Sequence, residues 1–184
     1  MRQKLLFGFF LLNFTFLSLA VWADDAVWIL IDTKKMQLEV KKGNKMIAVM
    51  ENIAIGRGGA GFKKHVGDDI TPIGTYRIGW INNKSSFHRF YGFDYPSVEN
   101  ANEALLSGLL SKKAQTSIVN AHKENKIPPQ NTAIGGRIGI HGLGNADEFI
   151  HKTMNWTQGC IALNNQQIDK LKQWIRKGTL VKVK

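Results

Sequence analysis

Apolar residues along this chain fall into three kinds of run, and each predicts a different element. The first is nearly unbroken: from Leu5 to Trp22 only Asn13, Thr15 and Ser18 interrupt it. The second kind is short and flanked by turn residues. Val27-Trp28-Ile29-Leu30-Ile31 reads as one strand, and Met36-Gln37-Leu38-Glu39-Val40 alternates apolar and polar positions as a second. Met46 to Ile55 reads as a third, with Lys41-Lys42-Gly43-Asn44 as the turn before it. Gly56 to Gly61 is a glycine-rich loop, and Thr71-Pro72-Ile73-Gly74 turns into a strand from Thr75 to Ile81.

The third kind has helical spacing. Ala101, Ala104, Leu105, Leu109 and Ala114 predict a helix over Glu99 to Lys113, weakened at Gly108. Residues 115–133 are ambiguous, with a short helix ended by Ile127-Pro128-Pro129 as one reading. Ile134 to His141 reads as a glycine-laced strand. Asn164 with Gln167 three positions on resembles a capping box, Ile168, Leu171, Trp174 and Ile175 form an apolar stripe, and Gly178 ends that helix. Leu180-Val181-Lys182-Val183 closes the chain as a strand. The sum is a β-rich mixed α+β fold with two or three helices.

The unbroken run changes the picture of where the protein works. Arg2 and Lys4 precede it, and Ser18-Leu19-Ala20 and Val21-Trp22-Ala23 offer small-residue exits, so residues 1–23 read as a secretory signal peptide. Cleavage is expected after Ala23, with Ala20 the other exit and an uncleaved signal anchor the alternative. The expected product is an exported protein of the periplasm or cell envelope: one domain over residues 24–184, without a stable membrane span. The full chain carries a formal net charge of +11, of which Arg2 and Lys4 contribute two, leaving +9. Such a basic exported domain suits an anionic polymer such as cell wall. Nucleic acid is not expected as a partner, because the lysines (34, 35, 41, 42, 63, 64, 112 and 113) are scattered rather than gathered on one face.

Export also gives weight to the chain's single cysteine, Cys160, because exported thiols normally pair. It is either a buried bystander or a retained nucleophile. A thiol of pKa near ~8.5 attacks only as the thiolate, so it needs a neighbouring base that a third group orients. His141, in Ile138-Gly139-Ile140-His141-Gly142, ends an apolar strand, and Cys160 follows a turn, so both are expected on one cleft. The Gly142 carbonyl is placed to hold the imidazole tautomer, and the amides of Gly159 and Cys160 to face a developing oxyanion. Local chemistry alone leaves a structural thiol and a nucleophile level.

Asn155-Trp156-Thr157-Gln158-Gly159-Cys160 together with His141 resembles the YkuD-type L,D-transpeptidase family, whose signature is a His, about fifteen residues, then Ser/Thr-His-Gly-Cys. Fifteen residues separate His141 from Thr157, and Thr157, Gly159 and Cys160 match in register. Thr71-Pro72-Ile73-Gly74-Thr75-Tyr76, the stretch from Ser86-Phe87-His88 to Tyr95-Pro96, and Gly178-Thr179-Leu180-Val181 are similar to the family's small single-domain exported branch. Gln158 stands where the common motif has a second histidine, and Ala162 where many members carry Arg or Asn. The resemblance implies a YkuD-like β-sandwich, no cofactor, and a cysteine acyltransferase acting on diaminopimelate-containing peptidoglycan stem peptides. Cys160 would be the nucleophile and His141 the general base and acid. An L,D-carboxypeptidase or cross-link hydrolase with the same nucleophile, and a non-catalytic wall-binding module, are the alternatives.

Further residues are expected around that pair. Thr157, Gln158, His88, Tyr91 and Arg57 are taken as substrate-binding, with Tyr95 a further wall. The Gly56–Gly61 loop lacks the Lys-Ser/Thr of a phosphate loop. His141, His151 and Cys160 match no usual zinc-ligand spacing, so no metal is expected. Trp156 is expected to pack and fix the nucleophile turn, and His65, His122 and His151 to be surface or satisfied histidines.

Overall fold

The computed structural model describes residues 26–184. The expected signal peptide lies outside the described residues. Ten strands and four helices follow one another as β1 (Val27–Asp32), β2 (Gln37–Lys42), β3 (Lys45–Glu51), β4 (Ala60–Gly61), β5 (Thr71–Pro72), β6 (Gly74–Ser85), β7 (His88–Phe93), α1 (Val98–Leu106), α2 (Lys112–Lys123), β8 (Gly139–His141), α3 (Glu148–Thr153), β9 (Ile161–Ala162), α4 (Asn165–Leu171) and β10 (Leu180–Val183). Eight strands form a mixed sheet in the order β3-β2-β1-β10-β6-β7-β8-β9, and β4 pairs with β5. The β-rich mixed α+β expectation holds.

The 12-residue strand β6 joins the two halves of the sheet. Its first residues pair with β10 (Val183↔Gly74 to Leu180↔Arg77), and its later ones with β7, across two register shifts. Bulges of this kind bend a strand and increase its twist. Both halves feed one apolar core: Ile29, Leu38 and Val181 from one, Phe93, Ile140 and Ile161 from the other, with Ile118 and Ile168 from the helices. Tyr76 stacks on Phe93 at 5.5 Å between centroids. The outer edge of β9 does not face water. Ala54 and Ala162 exchange amide bonds of 3.0 and 2.8 Å, and Thr157 bonds Ile55 and Arg57, so the chain after β3 covers that edge.

The differences from the sequence reading have local causes. The helix expected over Glu99 to Lys113 ends at Leu106, and α2 runs into the ambiguous stretch where a short helix was one reading. Gly108 adopts φ +72, the amides of Leu109 and Leu110 turn back to Ala104 O, and Ser111 caps α2 by accepting from Ala114 N at 3.2 Å. A helix count of two or three becomes four because α3 was not foreseen. Its Asp147 cap accepts from Phe149 N at 2.6 Å, but Phe149 is 73% exposed and leaves no buried stripe to detect. The strand expected over Ile134 to His141 shortens to β8, because Gly135 and Arg137 have φ of +90 and +55. The predicted third strand leaves the sheet at Glu51.

The capping box of α4 is as expected: Asn164 Oδ1 accepts from Gln167 N at 2.8 Å, and Gln167 Oε1 accepts from Asn164 N at 3.0 Å. Gln167 Nε2 also donates to Glu51 O at 2.7 Å, tying the helix to the end of β3. Asn164→Ala removes one side of the box, and urea unfolding should show a loss of about 1 kcal/mol.

Candidate active site

A two-residue parallel ladder sets the site. Ile140 pairs with Ile161 and His141 with Ala162, so one step back along the ladder places Cys160 beside Gly139. Residues two apart on a strand share a face, so Cys160 projects to the same side as His141, on the diagonal. The turn that delivers Cys160 is pinned by the buried Thr157. Its hydroxyl donates to Cys160 O at 2.6 Å and accepts from Gly159 N at 3.2 Å. Gly159 has φ +125, and a Cβ there would lie 2.7 Å from Ile70 O, so only glycine serves.

His141 is 3% exposed, and its Nδ1 lies 2.7 Å from Gly142 O. A carbonyl only accepts, so Nδ1 carries the proton and Nε2 keeps its lone pair. The orienting role expected of Gly142 therefore has its geometry. Three aromatic rings box the imidazole: Phe87 at 4.4 Å, Trp156 at 5.6 Å edge-on, and Phe90 at 6.4 Å. Burial brings its pKa down to about 4, against a smaller upward pull from the Gly142 bond. Cys160 is half-buried as a residue, but its thiol is crowded, and burial pushes that group up to about 11. A Gly139 backbone hydrogen bond and the Lys63 charge pull the other way. Sγ donates to Arg137 O at 3.5 Å. The resting pair is thus thiol and neutral imidazole, a state in which deprotonation must accompany attack.

Cys160, His141, Arg57, Thr157, Gln158 and Trp156 all line one cleft of about 810 Å³. Arg57 is exposed there, its guanidinium 2.8 Å from Asp69 Oδ2. Thr157 lines the cleft with its hydroxyl committed to the turn. The Gly159 amide is committed in the same way. It already donates to Thr157, so Gly159 supplies conformation rather than an open oxyanion donor in this state.

Two expected contacts fall outside the cleft lining. Tyr91 is 1% exposed and belongs to the core, because it pairs with Ile140 and so faces away from His141. His88 lies at the β6–β7 turn with φ +70, and its Nε2 is 2.9 Å from Asp169 Oδ2 on α4. Phe90, paired with His141 itself, holds the position on this strand that the sequence reading gave to Tyr91. Tyr95 is also core, donating to Ile134 O at 2.7 Å. His151 is buried rather than on the surface: Trp156 Nε1 donates to its Nδ1 at 3.3 Å, and its Nε2 has no hydrogen-bond partner among the described residues.

A half-buried thiol and a tautomer-fixed imidazole thus lie on one face of adjacent strands in a β-rich fold. The L,D-transpeptidase catalytic domain model of the YkuD family matches residues 26–183, and the chain belongs to that family. Solved structures share the fold. Pgp2, the helical cell shape determining protein of Campylobacter jejuni, is 22% identical with a TM-score of 0.57, over 88% of this chain and 48% of that one. Bd1075 of Bdellovibrio bacteriovorus is 19% identical with a TM-score of 0.57, over 90% of this chain and 50% of that one. An L,D-transpeptidase of Enterococcus faecium is 14% identical with a TM-score of 0.51, over 87% of this chain and 50% of that one. The chain thus spans about half the length of these relatives. No curated protein matches it.

The depressed His141 pKa has a measurable consequence. The unfolded chain takes up this proton near pH 6.5 and the folded chain only near 4, so between those values the unfolded state binds more protons. The stability involved is fully present above 6.5 and is lost as pH falls towards 4. Urea unfolding across that window should show wild type losing about 3 kcal/mol more than His141→Gln. Equal losses in the two proteins would mean that His141 titrates normally.

Proposed function

We propose that this chain is an exported cysteine acyltransferase acting on peptidoglycan stem peptides. The observation that carries the reading is the pairing of Cys160 with a neutral, Gly142-oriented His141 on one face of the β8–β9 ladder. The thiol turns from Arg137 O towards His141 Nε2 and gives up its proton as the sulfur attacks the carbonyl at the L-centre of the third stem residue. Expulsion of the fourth-position D-alanine takes that proton back from His141 and leaves a thioester on Cys160. An incoming amine, or water, gives its proton to His141 and takes the acyl group, and His141 returns that proton to the departing Cys160 sulfur. The aromatic box favours neutral imidazole in the resting state, so the imidazolium exists only beside the developing negative charge of the reaction.

Export through a signal peptide at residues 1–23 and work in the periplasm or envelope, in wall biogenesis and shape, complete the proposal. No helix among the described residues is long and apolar enough to cross a membrane. The basic surface suits a wall polymer that carries carboxylates.

Transfer and hydrolysis share the thioester and part at its resolution. Water is present at roughly 55 M, so transfer needs a bound amine with a large effective concentration. Gln158, which lines the cleft and is exposed, replaces a histidine of the common motif beside the nucleophile. Incubation of a tetrapeptide stem with and without a diaminopimelate-type amine, read by mass, separates the outcomes. The expected result is an amine adduct that grows at the expense of tripeptide. Tripeptide alone, indifferent to added amine, would make the protein an L,D-carboxypeptidase. Unchanged peptide throughout would overturn the catalytic reading in favour of a wall-binding module.

A further inference from the structure

Cys160 borders two spaces. Besides the aromatic cleft, a cavity of about 580 Å³ lies against it, and the two share Gln130, Arg137, Gln158 and Cys160. Their chemistry differs. Both carry two cations, Arg57 and Arg137 in the cleft and Lys63 and Arg137 in the second cavity. The cleft is walled by Trp80, Phe87, Phe90 and Trp156, whereas the second cavity has no aromatic side chain and is lined by glycine backbone, amide side chains, Val66 and Ile138. No acidic side chain lines that second cavity.

Lys63 is the unusual member. It is 4% exposed, and a buried ammonium is costly unless its charge and donors are met. Asp68 meets the charge by an ion pair and hydrogen bond. But Asp68 has other duties: Oδ1 also accepts from Ile70 N at 3.0 Å, and Oδ2 from Lys64 N at 2.7 Å and His65 N at 3.2 Å. Burial pushes the Asp68 carboxyl up, and the Lys63 bond with these three amides more than reverses it, to about 2. An ammonium has three donors, and Asp68 is the only hydrogen-bond partner of Lys63 among the described residues. The stem passes so close to Gly135 that a Cβ there would lie 2.9 Å from Lys63 Cε. Glycine at 135 leaves the lysine room to reach the cavity wall.

We propose that this cavity is a carboxylate subsite for the terminal D-amino acid of a stem peptide, with the Lys63 ammonium as its anion-binding group. In the leaving residue, the carboxylate is separated from the scissile carbonyl by only the amide nitrogen and one carbon. That spacing is short enough for the carboxylate of a peptide whose carbonyl lies at Cys160 to reach the adjoining space. Arg137, on the shared rim, adds a second positive charge. The choice of a D-amino acid rests on the proposed reaction; the carboxylate preference rests on the cavity alone. A subsite of this kind selects a residue at a free peptide terminus over one amidated or continued by further chain.

The test uses the thiol as reporter. Alkylation of Cys160 by chloroacetamide is followed by intact mass with D-alanine or D-alaninamide as competitor. D-alanine should protect at a concentration at least about tenfold lower than D-alaninamide, because a charged hydrogen bond is lost with the amide. Lys63→Met would leave Asp68 buried with an unmatched charge, so it is paired with Asp68→Asn, which keeps an oxygen for the loop amides. The double variant, checked for folding by circular dichroism, should lose the preference, with protection taken relative to its own uncompeted alkylation rate because the Lys63 charge also acts on the thiol. A positioning role for Lys63 in the loop alone would leave the preference unchanged. Equal protection by acid and amide in the wild type overturns the subsite without any variant. Tetrapeptide turnover, measured in parallel, keeps the two readings apart. Carboxylate-selective protection without turnover retains the subsite and removes the reaction, and turnover without selective protection does the reverse.

Discussion

The site hangs on the parallel pairing of β8 with β9, only two residues long on each side. Ladders this short do not hold themselves. This one is held from outside: Ala54 bonds Ala162 in both directions, Thr157 bonds Ile55 and Arg57, and Leu163 N donates to His141 O at 2.9 Å. A slip of one residue would turn Cys160 to the opposite face from His141. The buried alanines at 54 and 162, each no more than 1% exposed, are therefore part of the chemistry's scaffold although neither reacts. Ala162 is wholly buried, paired with His141 on one side and bonded to Ala54 on the other.

Electrostatics follow from that placement. A cleft walled by Phe87, Phe90 and Trp156 penalises charge on His141, and crowding penalises charge on Cys160, so both are neutral at rest. The protein gives up a standing thiolate and gains an imidazole that is ready to accept a proton at any pH well above 4. The Gly142 carbonyl makes that readiness directional, because it fixes which nitrogen is the base. On the other side of the sulfur, Lys63 and Arg137 bring positive charge into the second cavity. Cys160 thus sits between an aromatic-walled space and one that holds Lys63 and no aromatic side chain.

How much of this was legible in the sequence depended on whether the signal was local. The α4 cap, the alternating strand β2, and the spacing of His141, Thr157, Gly159 and Cys160 are local, and the structure has the elements where they were read. Contacts set by register were not legible. Choosing Tyr91 over Phe90 was a parity error that the pairing of Phe90 with His141 corrects, since periodicity says which residues share a face but not which face meets the cleft. Asp169 draws His88 off from a helix 81 residues away, which no local pattern announces. Lys63 read as one of eight scattered lysines, and its burial depends on Asp68 folding the loop back onto it. Helix α3 stayed hidden because its apolar residues face outwards.

The central claim is that Cys160 becomes acylated with loss of the residue beyond the scissile bond. Rapid acid quenching of the protein with a tetrapeptide stem, followed by intact mass and peptide mapping, observes that species directly. The account predicts an adduct of tripeptide mass on the Cys160 peptide, absent in Cys160→Ala and strongly reduced in His141→Ala. Product forming at full rate in Cys160→Ala, or an adduct mapping to any other residue, would contradict it.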